Sequence, residues 1–515
     1  MKHRIISLIL GSLLALNGIC AVSAAQDAGF YNAEAYGSAS FAAEGGNMYC
    51  DERGIITSAD KTVTDVDVPS YIGDTKIVGI GERAFWQCTE LKSVTIPDTV
   101  YAIDDYAFAD CTNLKTIKLP DSLEGIGIGA FSRCSALTSI EIPPLVTELD
   151  TKVFEFSGLK SIVIPPTVQT IADQTFDFCE SLESVTLNEG LEYIGTRAFE
   201  YCTSLTEIKI PKGIKTMKGN IFSSCRNLKK AELPDDMTEI PTGLFYSCNS
   251  LTNITFPEGL VKINSYAFEH CAKLASVNFP EGVTEIGTGA FAHISSLESV
   301  RLPDGLTEVS DLCFYSCNGL KSVYLPDGIT RIGDSAFAGC TKLTGVTLPK
   351  TLKKIDASGF GDCLALTSLV LPETVEEMGM NGLRNTGITS LTVKNKDTQF
   401  GRYALGYNKN LKRVYCYKDS TADDSSLYTE SVTFVYFTDI LNGDADADGK
   451  LTAADSTEIL QKVLNRSYTM PIEAKTAEYE KYLDVDTDGS LSAADALTVM
   501  QKVLNNSFVM EIDKK

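Results

Sequence analysis

Two acidic loops near the C-terminus have the residue types and the spacing that bind calcium. Each loop is twelve residues long, 444–455 and 484–495, with carboxylates at positions 1, 3, 5 and 12 and a glycine at position 6. Ca²⁺ is a hard cation that takes several oxygen ligands from one tight turn, including a backbone carbonyl at position 7. The sequence therefore predicts two bound Ca²⁺ ions, whose ligands are Asp444, Asp446, Asp448, Lys450, Asp455, Asp484, Asp486, Asp488, Ser490 and Asp495.

The segments that follow the two loops are also duplicated. Residues 455–464 and 495–504 have a helical apolar pattern, and both end in Gln-Lys-Val-Leu-Asn at 461–465 and 501–505. Position 12 of each loop is Asp, whereas an EF-hand has Glu there, and no comparable helix leads into the first loop. This loop–helix duplication resembles the type I dockerin domain, over about residues 438–510.

The dockerin resemblance implies a small, mainly α, calcium-binding domain that binds the cohesin domain of a scaffoldin. Because such a small module has little core, its fold is expected to depend on the metal. The resemblance also implies that loop positions 10 and 11 and the middle of each helix face the cohesin. These positions are Ala453, Ala454, Leu460, Gln461, Lys462, Ala493, Ala494, Met500, Gln501 and Lys502. Leu460 and Met500 have an alternative interpretation as core residues of the domain.

A regular repeat precedes the two acidic loops. It must form the scaffold that positions any binding surface in the rest of the chain. Thirteen phenylalanines recur every 22 or 23 residues between Phe85 and Phe360. Such a period indicates a solenoid, in which each coil buries its apolar edge against the next coil. Within one repeat, Leu91, Val94 and Ile96 alternate with polar residues as in a half-buried strand, and a proline ends that strand. The Ala-Phe pair is expected to open a short helical or turn segment.

The repeat motif Ala-Phe-x-x-Cys-x-x-Leu-x-x-Val-x-Ile-Pro resembles the BspA-like leucine-rich repeats of secreted bacterial surface proteins, over about residues 45–437. The resemblance implies an α/β repeat fold, namely a right-handed leucine-rich-repeat solenoid of about 15 coils of 22–23 residues. It also implies an adhesin or an interaction scaffold, but it does not identify the ligand. Two coils are one residue short, and each carries a glycine at the deletion, Gly158 and Gly387, as a tightened turn would require.

The sequence divides into four predicted parts: a signal peptide at 1–25, an N-terminal cap at 26–83, the solenoid with its closing strands at 84–437, and the dockerin at 438–515. The signal peptide prediction rests on a charged start, an apolar run and a small-residue cleavage site. A membrane anchor is the alternative, but the run is short for a bilayer. We therefore expect a secreted protein without membrane insertion.

Eleven cysteines fall three residues after a repeat phenylalanine, a position that Ser157, Ile294, Thr386 and Asn408 occupy in other coils. A position that accepts such different residues is typical of a small interior site. Stacked coils would hold these side chains parallel, which is a poor geometry for disulfides. Buried free thiols are therefore favoured over disulfides, the alternative for a secreted chain.

Two rows of outward residues on the predicted strands form a candidate ligand surface, one row mostly serine and the other mixed. Arg301, Tyr324 and Tyr415 are the predicted anchors, since Arg and Tyr are enriched at binding hot spots. The alternative is an ordinary solvated sheet face.

The remaining composition restricts the functional class. A formal net charge of −23 argues against nucleic-acid binding. Only His270 and His293 follow the predicted signal peptide, both near the repeat cysteine position, and neither has a triad signature. The sequence therefore predicts a non-catalytic, secreted cellulosome component. The alternatives are a surface adhesin with a calcium-binding cap, and a plant-polysaccharide hydrolase or esterase.

Overall fold

The computed structural model of the chain describes residues 39–429 and 431–437. The predicted signal peptide, all predicted calcium ligands and all predicted cohesin-facing residues lie outside these ranges. The described chain forms two compact units. Unit one consists of residues 39–260 and Tyr266–Ala272, and unit two consists of Val261–Ser265 and the described residues from 273 onward.

Antiparallel strands open unit one. Strands β1 (Ala39–Ala43), β2 (Gly46–Cys50) and β3 (Ile55–Ala59) form a meander, and β3 then pairs in parallel with β7 (Gly79–Ile80). A small hairpin joins β5 (Tyr71–Ile72) and β6 (Thr75–Lys76). These strands lie within the predicted N-terminal cap, and they close the first edge of the sheet.

Two rows of parallel strands, called ladders below, run through unit one, and each row is divided into short hydrogen-bonded sheets. The strand of the Leu-x-x-Val-x-Ile segment forms the first ladder and buries its central residue, as the alternating pattern predicts. Its strands are β4 (Asp65–Asp67), β8 (Ser93–Thr95), β10 (Thr116–Lys118), β13 (Ser161–Val163), β15 (Ser184–Thr186), β17 (Glu207–Lys209) and β19 (Lys230–Glu232). The second ladder follows the proline and comprises β7, β9 (Ala102–Ile103), β11 (Gly125–Ile126), β12 (Glu148–Leu149), β14 (Thr170–Ile171), β16 (Tyr193–Ile194), β18 (Thr216–Met217) and β20 (Glu239–Ile240).

Unit two repeats the arrangement of two parallel ladders. Its first ladder consists of β23 (Ser299–Arg301), β25 (Ser322–Tyr324), β27 (Gly345–Val346), β29 (Ser368–Leu371), β31 (Ser390–Val393), β33 (Arg413–Cys416) and β34 (Thr433–Tyr436). Its second ladder consists of β21 (Lys262–Ile263), β22 (Glu285–Ile286), β24 (Glu308–Val309), β26 (Arg331–Ile332), β28 (Lys354–Ile355), β30 (Glu377–Met378) and β32 (Gln399–Phe400). Strands β33 and β34 are the closing strands expected from the sequence, and they pair in parallel.

The Ala-Phe segments are turns and not helices, so the α/β label needs correction. Residues 39–429 and 431–437 contain no α-helix, and their only helical elements are two 3-10 helices, Thr421–Asp423 and Ser425–Leu427. The reason is that turn N–H groups donate to the next coil: Phe85 N bonds Ala107 O at 2.7 Å, and Gln87 N bonds Ala109 O at 2.9 Å. An α-helix would need those N–H groups for its own carbonyls. The described part is a β-solenoid of stacked coils.

Each turn segment holds two residues in the left-handed region, one before the Ala-Phe pair and one two residues after the phenylalanine. In the first coil these are Arg83 at φ 55° and Gln87 at φ 60°. His270 and His293 occupy the second position in their own units, at φ 62° and 61°. Both histidines are therefore turn residues, as expected from their place in the repeat.

The repeat phenylalanines form the core of both units. All thirteen are 0% exposed. Ring centroids of successive coils lie 4.9–5.9 Å apart in unit one and 5.3–5.8 Å apart in unit two. Offset stacking at these separations adds to the apolar area that each ring buries. The phenylalanine period therefore marks the buried edge of every coil.

The cysteines are buried beside this stack. All 14 cysteines between residues 39 and 437 are buried and have free thiols. Cys111 Sγ donates to Phe85 O of the preceding coil at 3.1 Å, and Cys340 Sγ does the same to Phe314 O at 3.2 Å. Burial raises the pKa of these thiols well above the ordinary value. The predicted small interior position is confirmed, with an added role as a hydrogen-bond donor.

The two short coils need glycine because backbones approach closely there. A Cβ on Gly158 would lie 2.0 Å from Ser135 O, and one on Gly387 would lie 2.2 Å from Leu364 O. Neither glycine adopts a positive φ. Glycine is required at these deletions for space and not for turn geometry. In the part of the chain that the structure describes, no helix has the length and apolar character to cross a bilayer.

Candidate interaction surface

Two of the three predicted anchors meet on the first ladder of unit two. Arg301 and Tyr324 are register partners on β23 and β25, and the guanidinium carbon lies 3.8 Å from the ring centroid. Tyr324 is 44% exposed, and Arg301 also reaches Asp304 at 3.3 Å. A cation over an aromatic face is attracted by the ring quadrupole. The pair presents an oriented guanidinium and an open phenol on the strand face.

The third predicted anchor, Tyr415, is wrong as a surface residue because it is only 4% exposed. It lies on β33, which is paired on both sides, by β31 and by β34. The 3-10 helix Thr421–Asp423 also lies against β33, and Tyr428 closes this segment by donating from its hydroxyl to Ala422 O at 2.8 Å. The strand that carries Tyr415 is therefore paired on both sides and also contacted by the segment that follows it.

A second arginine–tyrosine group lies on the turns of the last coils, and the sequence reading missed it. Arg402 lies 4.7 Å from the ring centroid of Tyr403, and Arg384 lies 4.7 Å from that of Tyr407. The two tyrosine rings are 6.5 Å apart and are 47% and 48% exposed. We call these four residues the Arg–Tyr cluster. Both tyrosines occupy left-handed turn positions. An alignment of these turn positions from coil to coil in the sequence would have revealed the cluster.

The second ladder of unit two carries a charge network. Arg331 contacts the carboxylates of Glu308, Asp311 and Asp356 at 3.1, 2.6 and 2.5 Å. Lys354 reaches Asp356 at 3.1 Å and the carboxylate of the following coil at 3.2 Å. Asp356 is 9% exposed, and the two cations offset the cost of burying its charge. The network fixes the relative placement of neighbouring coils.

A column of three carboxylates runs along the turns of unit one, one residue after the phenylalanine of consecutive coils. Glu155 and Glu200 each have a cation nearby, Lys152 at 3.1 Å and Arg197 at 3.1 Å. The central residue, Asp177, forms no ion pair with any residue in the described part of the chain, and it accepts one hydrogen bond from Gln174 Nε2 at 2.9 Å. We call Glu155, Asp177 and Glu200 the acid column.

Asp177 is the perturbed member of the acid column. It is 2% exposed, and its Oδ1 is buried without a hydrogen-bond partner. Burial, together with the neighbouring charges of Glu200 and Glu155, raises the pKa of Asp177 to about 6 against the opposing effects of Gln174 and Arg197. A carboxyl in this environment favours its neutral form. Asp177 therefore titrates closer to neutrality than an ordinary aspartate.

An aromatic column lies next to the acid column. Phe156, Phe178 and Tyr201 are stacked at 4.5 and 4.3 Å, and Arg133 lies 4.4 Å from the centroid of Phe156. Stacking covers the ring faces that a sugar would use. The column stabilises the turns, and it is not an open platform for carbohydrate.

Two shallow grooves lie on unit one. One, of about 230 Å³, is lined by Glu148, Thr151, Thr170, Asp173 and Tyr193. The other, of about 240 Å³, contains Trp86 and Arg83 among its lining residues. Trp86 donates to Asp110 Oδ2 at 3.1 Å, which fixes the indole in that groove. Both grooves combine an aromatic ring with carboxylates, a composition suited to polar ligands.

Comparison with known families matches both parts of the chain. The family described as BspA type leucine rich repeat region (6 copies) matches residues 63–182, 169–298, 284–412 and 330–442. The family described as dockerin type I domain matches residues 442–504, which include both predicted calcium loops. These families are interaction modules, and neither is an enzymatic domain.

Solved structures similar to the chain are bacterial leucine-rich repeat proteins. One from Bacteroides ovatus ATCC 8483 is 27% identical with a TM-score of 0.66, over 77% of this chain and 99% of that chain. A leucine rich cell surface protein from Faecalibacterium prausnitzii A2-165 is 31% identical with a TM-score of 0.45, over 64% of this chain and 93% of that chain. No curated protein matches the sequence. The Bacteroides ovatus protein shares the solenoid fold.

Proposed function

The chain belongs to the BspA-type leucine-rich repeat family and carries a C-terminal type I dockerin domain, and we propose that it is a secreted, non-catalytic component of a cellulosome-type assembly. The dockerin implies a cohesin partner, and the repeats imply an interaction scaffold. In this proposal residues 1–25 direct export, the calcium-loaded dockerin attaches the chain to a scaffoldin, and the solenoid presents a binding surface.

The dockerin match over residues 442–504 is the observation that carries this function. The donor set supports calcium as the metal, because each loop offers four carboxylates and one backbone carbonyl, and hard oxygen donors are what Ca²⁺ takes. Asp444 and Asp484 begin the two loops. When bound, the two ions supply the charge that holds each acidic loop closed, so cohesin binding is proposed to require calcium.

The solenoid contributes the second half of the proposed function. Its interior is uniform from coil to coil, whereas its outward positions vary, which is how a scaffold acquires a specific surface. Arg301 and Tyr324 are proposed as contact residues, since they are exposed, mutually oriented and of the types enriched at hot spots. The ligand class proposed for this face is a protein or a carbohydrate.

A cohesin capture experiment tests the proposal. The full chain is applied to an immobilised type I cohesin in calcium or in EGTA, together with the variant D444A/D484A and the matched control D397A/D419A. The control removes two exposed acids from the end of the solenoid. We expect retention of the wild type and the control only in calcium, and at least about a hundredfold weaker retention of D444A/D484A. Equal retention in EGTA would refute calcium-dependent attachment.

A further inference from the structure

The last coils of unit two are strongly basic in an otherwise acidic chain. Residues 380–418 contain eight lysines and arginines and a single acid, Asp397, for a net charge of +7, whereas the whole chain has a net charge of −23. We call this region the basic end. Its cations are Arg384, Lys394, Lys396, Arg402, Lys409, Lys412, Arg413 and Lys418.

The central cations of the basic end have no acidic partner in the described part of the chain. Arg384, Arg402 and Lys409 are exposed, and no carboxylate of residues 39–429 or 431–437 forms an ion pair with them. Other arginines of the solenoid do have such partners: Arg197 pairs with one acid, and Arg331 pairs with three. Unpaired cations of one sign repel each other, and an acidic partner would relieve that repulsion.

The Arg–Tyr cluster makes part of the basic end a preorganised contact surface. Each guanidinium is held over a tyrosine ring at 4.7 Å, and Arg402 Nη2 also donates to Tyr403 Oη at 2.9 Å. Oriented side chains lose less rotamer freedom on binding. Arginine and tyrosine are also the residue types that dominate contact energies at protein interfaces. The cluster therefore suits an acidic protein segment.

An acidic segment of the same chain begins beside this surface. Residues 438–515 contain 15 acids and 8 lysines and arginines, for a net charge of −7. The described chain reaches residue 437 next to the basic end, because β34 pairs with β33 and the ring of Phe437 lies 4.9 Å from that of Tyr417. A short tether gives the following segment a high effective concentration at the surface.

We propose that the basic end is the docking surface for the chain's own acidic segment, residues 438–515, in its calcium-free form. Charge complementarity holds the segment on the Arg–Tyr cluster before calcium is available. Two bound Ca²⁺ ions would add four positive charges and weaken the docking, which frees the dockerin for a cohesin. The docking itself does not depend on cohesin binding, and only its release by calcium rests on the proposed function.

Zero-length carbodiimide cross-linking of the full chain tests the docking. The reagent joins a lysine to a carboxylate in direct contact, so Lys396 and Lys409 are the reporters, read by mass spectrometry in EGTA. We expect monomeric products in which these lysines are linked to acids between residues 439 and 513. Their yield should fall at least about fivefold when salt rises from about 20 mM to about 0.5 M, because screening weakens exposed charge pairs.

Charge variants separate docking from mere proximity. R384E/R402E should lower the cross-link yield at least about fivefold, and the milder R384Q/R402Q should lower it less. The matched control is R133E/R226E, which makes the same change of net charge at exposed arginines of unit one, one of them also stacked on an aromatic ring. Thermal unfolding of each variant confirms folding. The proposal is overturned if the links are absent, if they join two chains, or if they persist unchanged in R384E/R402E or in high salt.

Calcium titration provides an independent readout. If the basic end holds only the calcium-free segment, removing the docking surface must tighten calcium binding, because coupling between two binding events is reciprocal. We expect R384E/R402E to lower the calcium Kd at least about threefold relative to R133E/R226E. Equal calcium affinity in the two variants contradicts calcium-linked docking. A wild-type chain that binds no calcium but gives the salt-sensitive cross-links would refute the proposed function and leave the docking in place.

Discussion

Two outward columns of the repeat, one in each unit, carry charge in different ways. In unit one, the acid column places Glu155, Asp177 and Glu200 on the turns of consecutive coils, and the central carboxyl forms no ion pair within residues 39–429 and 431–437. In unit two, Arg331 and Lys354 are register partners on the second ladder, and each contacts two or more carboxylates. Like charges in a column raise the pKa of a carboxyl, whereas opposite charges in contact satisfy one another. The interior of the coils is thus the same in both units. The outward charged columns differ, since one stabilises the fold through ion pairs and the other makes its stability depend on pH.

Removal of the central cation of unit two should have the largest effect on stability. Arg331→Met leaves Asp311 without its close partner and leaves the nearly buried Asp356 with Lys354 alone. We expect a loss of roughly 1–3 kcal/mol in the free energy of unfolding, measured by urea denaturation. The control Arg226→Met removes an exposed arginine of unit one and should cost less than about 0.5 kcal/mol. Equal losses would show that the ion pairs of Arg331 contribute nothing to stability.

Neutralisation of Asp177, the central acid in unit one, should raise the stability of the protein, whereas the loss of Arg331 lowers it. The gain should be present only above acidic pH. The raised pKa of Asp177, about 6, means that the folded state binds the proton more tightly than the unfolded state, so this carboxyl costs stability as pH rises through that value. Asp177→Asn should stabilise the protein by roughly 1–3 kcal/mol at pH 7.5 and have no such advantage at pH 4. Urea denaturation at both pH values measures this. A stability gain that does not depend on pH would contradict the assigned cause.

The interior should respond equally in both units. Cys225 and Cys340 are each 0% exposed, and each donates from Sγ to a phenylalanine carbonyl at 3.2 Å. Replacement of either by Ala loses that hydrogen bond and leaves a small void, which should cost about 1–2 kcal/mol. Replacement by Ser retains a donor and should cost less in both units. Losses that differ by more than about 1 kcal/mol between the units would show that the interior is not uniform.

The interior was predictable because it repeats. The period of the phenylalanines located the core, the alternation around Val94 located a strand, and the tolerance of the cysteine position indicated a small buried site. The core, the strand and the cysteine position each pack against the equivalent residues one repeat away. The sequence shows those residues directly. The closing strands at 413–416 and 433–436 lie at the end of the predicted solenoid, where the motif decays.

The exceptions have different physical causes. Turns replaced the expected helical segments because their N–H groups bond to the next coil, and no local propensity encodes that choice. Tyr415 is buried on a strand that is paired on both sides and is contacted by a 3-10 segment with no counterpart in the repeat. The Arg–Tyr cluster joins Arg384 of one coil to Tyr407 of the next, so it appears only when left-handed turn positions are aligned between coils.

Calcium stoichiometry tests the central claim most directly, since the proposed attachment depends on two metal-closed loops. In an isothermal titration of the full chain with CaCl₂ after chelator removal, we expect two ions per chain, and fewer for D444A and for D484A. Saturation of the wild type at two ions, with each single variant losing one, supports the account. No calcium uptake by the wild type, or uptake that both variants leave unchanged, would contradict it.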